Sequence, residues 1–286
     1  MSDLLLDAAA LAALSAGAAL VVDCRHDLGD PEAGTRAYAA GHVPGAVHAH
    51  LDRDLSDLSR RAEGLGRHPL PAASAFIGRL SHWGWRPGLP VVAYDAHAGA
   101  IGAARLWWML RLLGQPAAVL DGGWSAWAAA GLPQQRETPA PRTPRPAALA
   151  FTRDFDSHAI VDTPELERSI RDGSVCIVDA RAPERYRGEV EPIDPKAGHI
   201  PGARNRPFAH NLDAGGRFKP PAQLRAEWQA LLGGTDPARV VHSCGSGVSA
   251  CHNLLAMELA GLAGSRLYAP SWSGWVSDAR RAVEAG

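Results

Sequence analysis

The sequence of 286 residues repeats itself, and this repetition restricts the possible folds more than any other feature. Four motifs occur twice in the same order: VVDCR (21–25) and IVDAR (177–181), AGHVPGA (40–46) and AGHIPGA (197–203), VVAYD (91–95) and VVHSC (240–244), and WSAW (124–127) and WSGW (272–275). The two members of a pair lie 148 to 157 residues apart. A shared order with such similar offsets indicates a duplicated domain.

The repeat predicts two domains, over 1–132 and 158–286, joined by a linker over 133–157. Five prolines occur between Pro133 and Pro146, and a proline-rich segment tends to run extended rather than form regular structure. The linker is therefore expected to separate two similar units of folded chain.

Both halves alternate short apolar runs with segments long enough for helices. The runs are 19–22, 90–94, 175–178 and 240–243, and the helical segments include 103–113, 222–232 and 248–259. Short runs rich in β-branched residues are typical of strands buried on both faces. The alternation predicts an α/β fold in which each domain has a mainly parallel sheet flanked by helices.

Composition excludes several classes of partner. The formal net charge is −1, and no basic stripe suggests nucleic-acid binding. No apolar run reaches the roughly 18 residues of a membrane span, and Asp3 and Asp7 make the N-terminal segment unlike a secretory signal. The four cysteines lack paired zinc-ligand spacing. We expect a cytoplasmic protein with no membrane partner and no structural metal.

Cys244 is the strongest candidate for chemistry, because it directly follows a predicted strand and precedes a predicted helix. Ligands of open α/β sheets bind beyond the carboxyl ends of the strands. A glycine-containing turn directs backbone N–H groups inward, and the helix N-terminus adds partial positive charge. Both effects favour a thiolate, the reactive form of cysteine. Gly245 and Gly247 allow a tight loop with room for a substrate.

Two other cysteine chemistries fit the sequence less well. A cysteine phosphatase needs an arginine six positions after its nucleophile to bind phosphate, and here that position is Ala250. A Cys–His hydrolase would need an imidazole on the sulfur, and His242 and His252 are close to Cys244 only in sequence. Phosphatase and hydrolase activities are both disfavoured.

The paired GH[VI]PGA motifs, the loop CGSGVSA (244–250) and the paired WSxW segments resemble those of tandem rhodanese-domain sulfurtransferases. The similarity covers nearly the whole chain outside the linker, and the loop is most similar to the mercaptopyruvate branch of the family. The resemblance implies a catalytic second domain without cofactor. It also implies a non-catalytic first domain that forms a wall of the cleft, since Asp95 stands where the second domain has Cys244.

The resemblance also implies a substrate site around the cysteine loop. Arg185, in the pair Arg185–Tyr186, matches the family's carboxylate-binding arginine, and Arg187 is expected to assist it. The second arginine of the mercaptopyruvate branch falls at Ile193, so Lys196 is expected to supply the charge. The loop residues assigned to substrate binding are Gly245, Gly247, Val248 and Ser249.

The family pattern further implies that Ser246 and His42 polarise the donor carbonyl or relay a proton, with Asp30 orienting the histidine. The alternative for His42 is a structural turn residue, because His199 occupies the same position in the second repeat. The resemblance implies sulfur transfer from 3-mercaptopyruvate through a Cys244 persulfide to a thiol, cyanide or a thioredoxin-like acceptor. Thiosulfate as the donor, or a persulfide carrier with little turnover alone, are the alternatives.

Overall fold

The computed structural model describes residues 4–96, 98–136 and 150–286, and it divides into two compact units. The first unit contains residues up to Asp57, then Leu70–Asp156 and Gly215–Arg217. The second contains Leu58–Pro69, Ser157–Ala214 and Phe218–Gly286. The segment Leu58–Pro69 thus packs within the second unit although it precedes most of the first along the chain. Residues 137–149 of the predicted linker lie outside the described residues.

The first unit follows the predicted alternation of strands and helices. Its elements are β1 (Leu5–Leu6), α1 (Ala8–Ala12), β2 (Leu20–Asp23), α2 (Ala33–Ala40), β3 (Val47–His48), α3 (Leu51–Asp54), α4 (Ala73–His82), β4 (Val91–Tyr94), α5 (Ala103–Leu112), β5 (Ala117–Leu120) and α6 (Gly123–Ala129). Its five strands are all parallel, in the order β1-β5-β4-β2-β3.

The second unit has the same arrangement. Its elements are β6 (Ile160–Val161), α7 (Thr163–Arg171), β7 (Cys176–Asp179), α8 (Pro183–Tyr186), β8 (Arg204–Asn205), α9 (Pro221–Leu232), β9 (Val240–Ser243), α10 (Ala250–Leu259), β10 (Arg266–Tyr268) and α11 (Ser271–Trp275), with short 3₁₀ turns at Leu58–Glu63, Ser157–Ala159, Phe208–Asn211 and Pro237–Arg239. The strand order is β6-β10-β9-β7-β8, again all parallel. The predicted fold class is confirmed.

The central strand of each sheet explains the short apolar runs in the sequence. Every residue of β4 and of β9 is buried, because helices cover both faces of a parallel sheet. The winding of the second sheet reverses between β7 and β9, and the crevice at such a reversal is the usual ligand site of open α/β sheets. Cys244 follows β9 at that point.

An aspartate–arginine corner after β2 and β7 shows how closely the two units correspond. Arg25 binds Asp23 and the carbonyl of Gly41, and Arg181 binds Asp179 and the carbonyl of Gly198. The guanidinium carbons lie over tryptophan rings at 4.5 Å in the first unit and 4.8 Å in the second. Each buried charge is therefore neutralised by a partner in contact, as burial requires.

In the part of the chain that the structure describes, no helix is long and apolar enough to cross a membrane.

Candidate active site

The start of α11 holds the Cys244 loop in place. The Cys244 N–H donates to Ser271 Oγ at 3.1 Å, and the Cys244 carbonyl accepts from the Trp272 N–H at 2.9 Å. The Gly245 carbonyl accepts from the Ser273 N–H at 2.9 Å. Ser271 has a φ of +52°, which a non-glycine residue adopts only when its surroundings impose it. These contacts fix the loop in one conformation.

The loop presents backbone N–H groups that have no acceptor of their own. Within the described residues, the N–H groups of Ser246, Val248 and Ser249 donate to no backbone or side-chain oxygen. Gly247 has a φ of +76°, and a Cβ at this position would collide with the Ala269 carbonyl, so the turn requires glycine. Cys244 itself is only 1% exposed. The loop therefore surrounds the sulfur with N–H donors, an arrangement suited to an anion formed there.

His68 is the imidazole that contacts Ser246, with Nδ1 and Oγ 2.7 Å apart. Both residues are buried, each with 4% of its surface exposed. His68 lies in the segment Leu58–Pro69, which follows the surface of α11. Along that segment the Arg67 N–H donates to Ser273 Oγ at 2.9 Å. Ser246, two residues after Cys244, is therefore paired with a histidine, and both residues of the pair belong to the second unit.

Two guanidinium groups lie beside the first residue after the cysteine. A Cβ on Gly245 would be 3.0 Å from Arg67 Nη2 and 3.6 Å from Arg185 Nη1. Arg185 donates to Glu191 at 2.6 Å and to Asp194 at 3.5 Å, and Arg67 is paired with Asp194. Burial raises the pKa of Glu191, but the hydrogen bond and charge of Arg185 and the N–H groups of Asp194 and Ile193 together lower that pKa below its ordinary value. Arg185 therefore lies beside the cysteine loop, and its role in substrate binding stays a prediction.

The other predicted cations have partners elsewhere in the second unit. Arg187 forms an exposed pair with Glu189, with Nε 2.7 Å from the carboxylate. Lys196 donates from Nζ to the Ala279 carbonyl at 2.7 Å. Ile193, at the position where the resemblance places a second arginine, is 44% exposed. The structure supplies the second guanidinium at Gly245 from Arg67, which sequence reasoning missed.

His42 has the contacts of its counterpart His199. His42 Nδ1 lies 2.8 Å from the Tyr38 carbonyl and its ring stacks on Tyr38 at 3.9 Å. His199 Nδ1 lies 2.8 Å from the Tyr186 carbonyl and its ring stacks on Tyr186 at 3.8 Å. These matching contacts favour the structural interpretation of both histidines. A catalytic role of His42 stays a prediction.

Asp30, the residue expected to orient His42, is paired with Arg36 on the surface of the first unit. The hydrogen bond from Arg36 lowers the pKa of the Asp30 carboxyl. No contact between Asp30 and His42 occurs among the described residues.

The remaining cysteines lack the loop environment of Cys244. Burial raises the pKa of the Cys24 thiol well above its ordinary value, and the Asp23 and Asp95 carboxylates raise it further. Burial also raises the pKa of Cys176. Cys251 donates its S–H to the Gly247 carbonyl at 3.5 Å. In the described ranges, no group of three or more histidine, cysteine, aspartate or glutamate side chains has an arrangement that could hold a metal.

In the first unit the equivalent loop is filled by a carboxylate. Asp95 Oδ1 accepts from the Gly99 N–H at 2.8 Å, and Oδ2 accepts from the Ile101, Gly102 and Ala103 N–H groups at 3.0, 3.1 and 3.3 Å. The carboxylate thereby binds the N-terminus of α5, where negative charge is favoured. A carboxylate cannot carry sulfane sulfur, so this loop has a structural role.

Comparison with known proteins identifies the family of the chain. The family model for the rhodanese-like domain matches residues 7–130 and 162–278. A relative from Pseudomonas aeruginosa named "Probable 3-mercaptopyruvate sulfurtransferase" is 47% identical over 285 residues, 99% of this chain and 98% of the relative. The thiosulfate sulfurtransferase of Cricetulus griseus is 32% identical over 250 residues, 85% of this chain and 80% of the relative.

A solved structure shows the same similarity in three dimensions. The 3-mercaptopyruvate sulfurtransferase from Leishmania major matches with a TM-score of 0.82 and 34% identity, covering 96% of this chain and 74% of that protein. Sequence and structure therefore lead to one assignment. The chain belongs to the rhodanese family, with two rhodanese-like domains, and its relatives are sulfurtransferases.

Proposed function

We propose that the protein is a sulfurtransferase that takes sulfur from 3-mercaptopyruvate as a Cys244 persulfide and passes it to an acceptor thiol. The observation that supports this most directly is the arrangement at the loop. A buried cysteine, free N–H donors, a Ser–His pair and a guanidinium meet around residues 244–246. The Pseudomonas aeruginosa and Leishmania major relatives, named for mercaptopyruvate, support the donor class.

In the first step, the Cys244 thiolate attacks the sulfur of 3-mercaptopyruvate. A sulfur–sulfur bond forms, the carbon–sulfur bond breaks, and its electron pair leaves as the enolate of pyruvate. The donor is the oxidant of this step, so no cofactor is needed. The N–H groups of Ser246, Val248 and Ser249 stabilise the negative charge of the persulfide.

Ser246 and His68 supply the proton that the enolate needs. When His68 is in its imidazolium form, Nδ1–H donates to Ser246 Oγ across 2.7 Å, so the serine hydroxyl can pass its proton to the enolate oxygen and take one from His68, which becomes neutral. The enol of pyruvate leaves and becomes pyruvate when solvent protonates its carbon. Arg185 binds the donor carboxylate through paired N–H groups, a geometry that guanidinium matches well.

In the second step, an acceptor thiolate attacks the outer sulfur of the persulfide and regenerates the Cys244 thiolate. A small thiol, cyanide or a thioredoxin-like protein has the required nucleophile, and a reducing cytoplasm keeps such thiols available. Donor and acceptor react in turn at the same sulfur, so ping-pong kinetics are expected. Thiosulfate is the second candidate donor, because the Cricetulus griseus relative is named for it.

Mass spectrometry of the intact protein after addition of 3-mercaptopyruvate tests the proposal. The expected result is an adduct of about 32 Da, one sulfur atom, that disappears when an acceptor thiol is added. Cys244→Ser should show no adduct. Cys251→Ser is the matched control and should keep it, because Cys251 lies in the same loop–helix junction with its S–H bound to Gly247. No adduct on the wild type, or an unchanged adduct on Cys244→Ser, refutes the mechanism.

A further inference from the structure

We infer that Gly274 is a positioning residue for the Ser246–His68 pair. Because Gly274 has no side chain, the segment Leu58–Pro69, which carries His68, can lie directly on α11. The inference rests on the proposed function and deepens it, since it identifies what keeps the histidine at the serine. Gly274 is the third residue of the second WSxW motif, where the first motif has Ala126.

A glycine at this place in α11 is unfavourable for the helix itself. Gly274 lies inside α11 and is buried. Alanine stabilises a helix interior relative to glycine, because it loses less conformational freedom on folding. The first repeat has the favoured alanine at the equivalent position. The glycine therefore indicates that something packs so closely on this face of α11 that a side chain has no room.

The close neighbour is the backbone of the segment Leu58–Pro69. A Cβ on Gly274 would lie 2.9 Å from the Gly64 carbonyl oxygen and 3.2 Å from the Gly66 nitrogen. It would also collide with Cβ of Pro270. A Cβ on Gly66 would in turn collide with the Pro270 carbonyl. Backbone atoms cannot give way by a side-chain rotation, so the segment and the helix meet at a distance that requires glycine on both.

Hydrogen bonds connect this contact with the cysteine loop. The Arg67 N–H donates to Ser273 Oγ at 2.9 Å, and the Ser273 N–H donates to the Gly245 carbonyl at 2.9 Å. Ser273 thus holds the segment through its side chain and the cysteine loop through its backbone. The next residue of the segment, His68, lies 2.7 Å from Ser246. A segment that moved away from α11 would carry His68 away from Ser246.

The first unit has the opposite arrangement of small and larger residues around the equivalent helix, α6. Ala126 stands in place of Gly274, and Gly122 stands in place of Pro270. A Cβ on Gly122 would lie only 2.6 Å from the Ala126 Cβ, so glycine at position 122 makes room for the alanine. Ser125, which precedes Ala126, is exposed. The glycine therefore lies before the helix in the first unit and on the covered face of the helix in the second.

Gly274→Ala adds one methyl group to the covered face and tests the inference. The methyl group should push the segment away from α11 and lower kcat with 3-mercaptopyruvate and an acceptor thiol by about tenfold to a hundredfold, as misplacement of a catalytic group does. Amide hydrogen exchange of residues 58–69, followed by mass spectrometry on the full chain, should become at least about tenfold faster, because the Arg67 N–H loses its acceptor.

Gly78→Ala is the matched control, because it adds the same methyl group to another helical glycine. Gly78 lies in α4, and a Cβ there would have nothing within 4 Å. Its kcat and its amide exchange over 58–69 should equal those of the wild type. Circular dichroism and the melting temperature show whether each variant is folded.

A double variant shows whether Gly274 acts through His68. In the His68→Gln background the proton relay is already lost, so the addition of Gly274→Ala should change kcat by no more than about twofold. A residue that only supports the fold would lower kcat by the same factor in both backgrounds.

If Gly274→Ala does not fold, a second variant replaces it. Pro270→Gly together with Gly274→Ala recreates the glycine–alanine pair of the first unit and removes the collision within α11. The contact of the new methyl group with the Gly64 carbonyl remains. This variant should therefore show the same fall in kcat and the same faster exchange.

The outcomes distinguish this inference from the proposed function. If a folded Gly274→Ala protein keeps either the wild-type kcat or the wild-type exchange, Gly274 is not a positioning residue. An equal loss of kcat with and without His68→Gln also overturns the inference, because the effect then does not pass through His68. If the wild type forms no persulfide, the sulfurtransferase proposal is wrong. The exchange rates need no turnover, and in that case they alone decide whether Gly274 holds the segment on α11.

Discussion

The loops after the central strands β4 and β9 share a framework and differ in what fills them. In both, the carbonyl of the key residue accepts an N–H from a tryptophan: Trp124 binds Asp95 at 2.8 Å and Trp272 binds Cys244 at 2.9 Å. In the first loop the Asp95 carboxylate accepts four N–H groups and is a permanent anion. In the second, the N–H groups of Ser246, Val248 and Ser249 beside the Cys244 thiol have no acceptor in the described part of the chain. One framework therefore serves stability in the first unit and, in the proposed function, catalysis in the second.

The test with the largest expected effect places aspartate, the residue at position 95 in the first loop, at position 244 in the second loop. Cys244→Asp places a carboxylate where the N–H groups of Ser246, Val248 and Ser249 lack acceptors. Sulfur transfer should fall by at least about a thousandfold, because the nucleophile is lost. The free energy of unfolding should stay the same or rise by about 1 kcal/mol, since a charged acceptor pairs with N–H groups that otherwise lack one. Donor turnover and urea unfolding measure the two effects.

A Cys244→Asp protein that unfolds at lower urea concentration than Cys244→Ser would break the comparison. It would mean that the second loop is not shaped for an anion in the way the first one is.

The reverse test removes the anion from the first loop. Asp95→Asn keeps the side-chain shape but replaces a carboxylate oxygen by an N–H₂ group that faces backbone donors. The free energy of unfolding should fall by about 3 kcal/mol, because the N–H groups of Gly99, Ile101, Gly102 and Ala103 lose a charged acceptor. Donor kcat/KM of the folded variant should stay within about threefold of the wild type, because Asp95 has no chemical step. A large loss of turnover with unchanged stability would assign Asp95 to catalysis instead.

The fold could be predicted from the sequence because the local pattern of apolar residues and the repeated motifs indicate the same strands and helices. The runs predicted as strands, 90–94 and 240–243, correspond to Val91–Tyr94 and Val240–Ser243, and the predicted helix 103–113 to Ala103–Leu112. Burial on both faces leaves an uninterrupted apolar run that marks such strands. At the N-terminus, the edge strand Leu5–Leu6, which none of the predicted apolar runs covers, pairs with β5 before α1 begins.

The active site was only partly readable, for a physical reason. Cys244 and Arg185 lie next to elements that the repeat identifies. His68 and Arg67 lie in a segment without a repeated motif, and His68 reaches Ser246 across 178 residues of sequence. The segment reaches the loop by packing on α11, where Gly66, at a φ of +85°, lies against the Pro270 carbonyl. The one local signal is a glycine on either side of Leu65, before Arg67 and His68.

Removing the Ser–His pair should slow the chemical step without removing the nucleophile. Ser246→Ala and His68→Gln should each lower kcat by about a hundredfold, within the usual range for general acid–base catalysis. The first unit has no equivalent of this test, because its loop holds the Asp95 carboxylate in place of a reactive thiol. The double variant should be little worse than either single one, since the two groups act together. Steady-state kinetics with 3-mercaptopyruvate and an acceptor thiol measure the three variants.

If the losses of kcat in the two single variants multiplied in the double variant, the two groups would act independently. That result would contradict a joint proton relay. A normal kcat in His68→Gln would mean that another group supplies the proton. The His42→Gln variant would then show whether His42 is that group. The +32 Da adduct should still form slowly in all of them, because Cys244 is intact.

The smallest expected difference between the units concerns the central strands themselves. His242 of β9 stands where β4 has Ala93, and it is fully buried. Burial lowers the pKa of His242 to about 3. Its ring is edge-on to Trp228 at 5.6 Å, and neither ring nitrogen has a hydrogen-bond partner among the described residues. The folded chain therefore keeps this imidazole neutral where the unfolded chain, with a pKa near 6.5, protonates it.

The sign of the resulting pH dependence follows from these two pKa values. Below about pH 6.5 the unfolded state binds more protons than the folded state, so stability falls as pH falls, until about pH 3. The loss is at most about 1.4 kcal/mol per pH unit. His242→Ala gives β9 the residue of β4, and although its cavity lowers stability at every pH, its loss between pH 7.5 and 5.5 should be smaller than that of the wild type. Urea unfolding at the two pH values measures this difference, and equal slopes would show that His242 is protonated in the folded protein or shielded in the unfolded one.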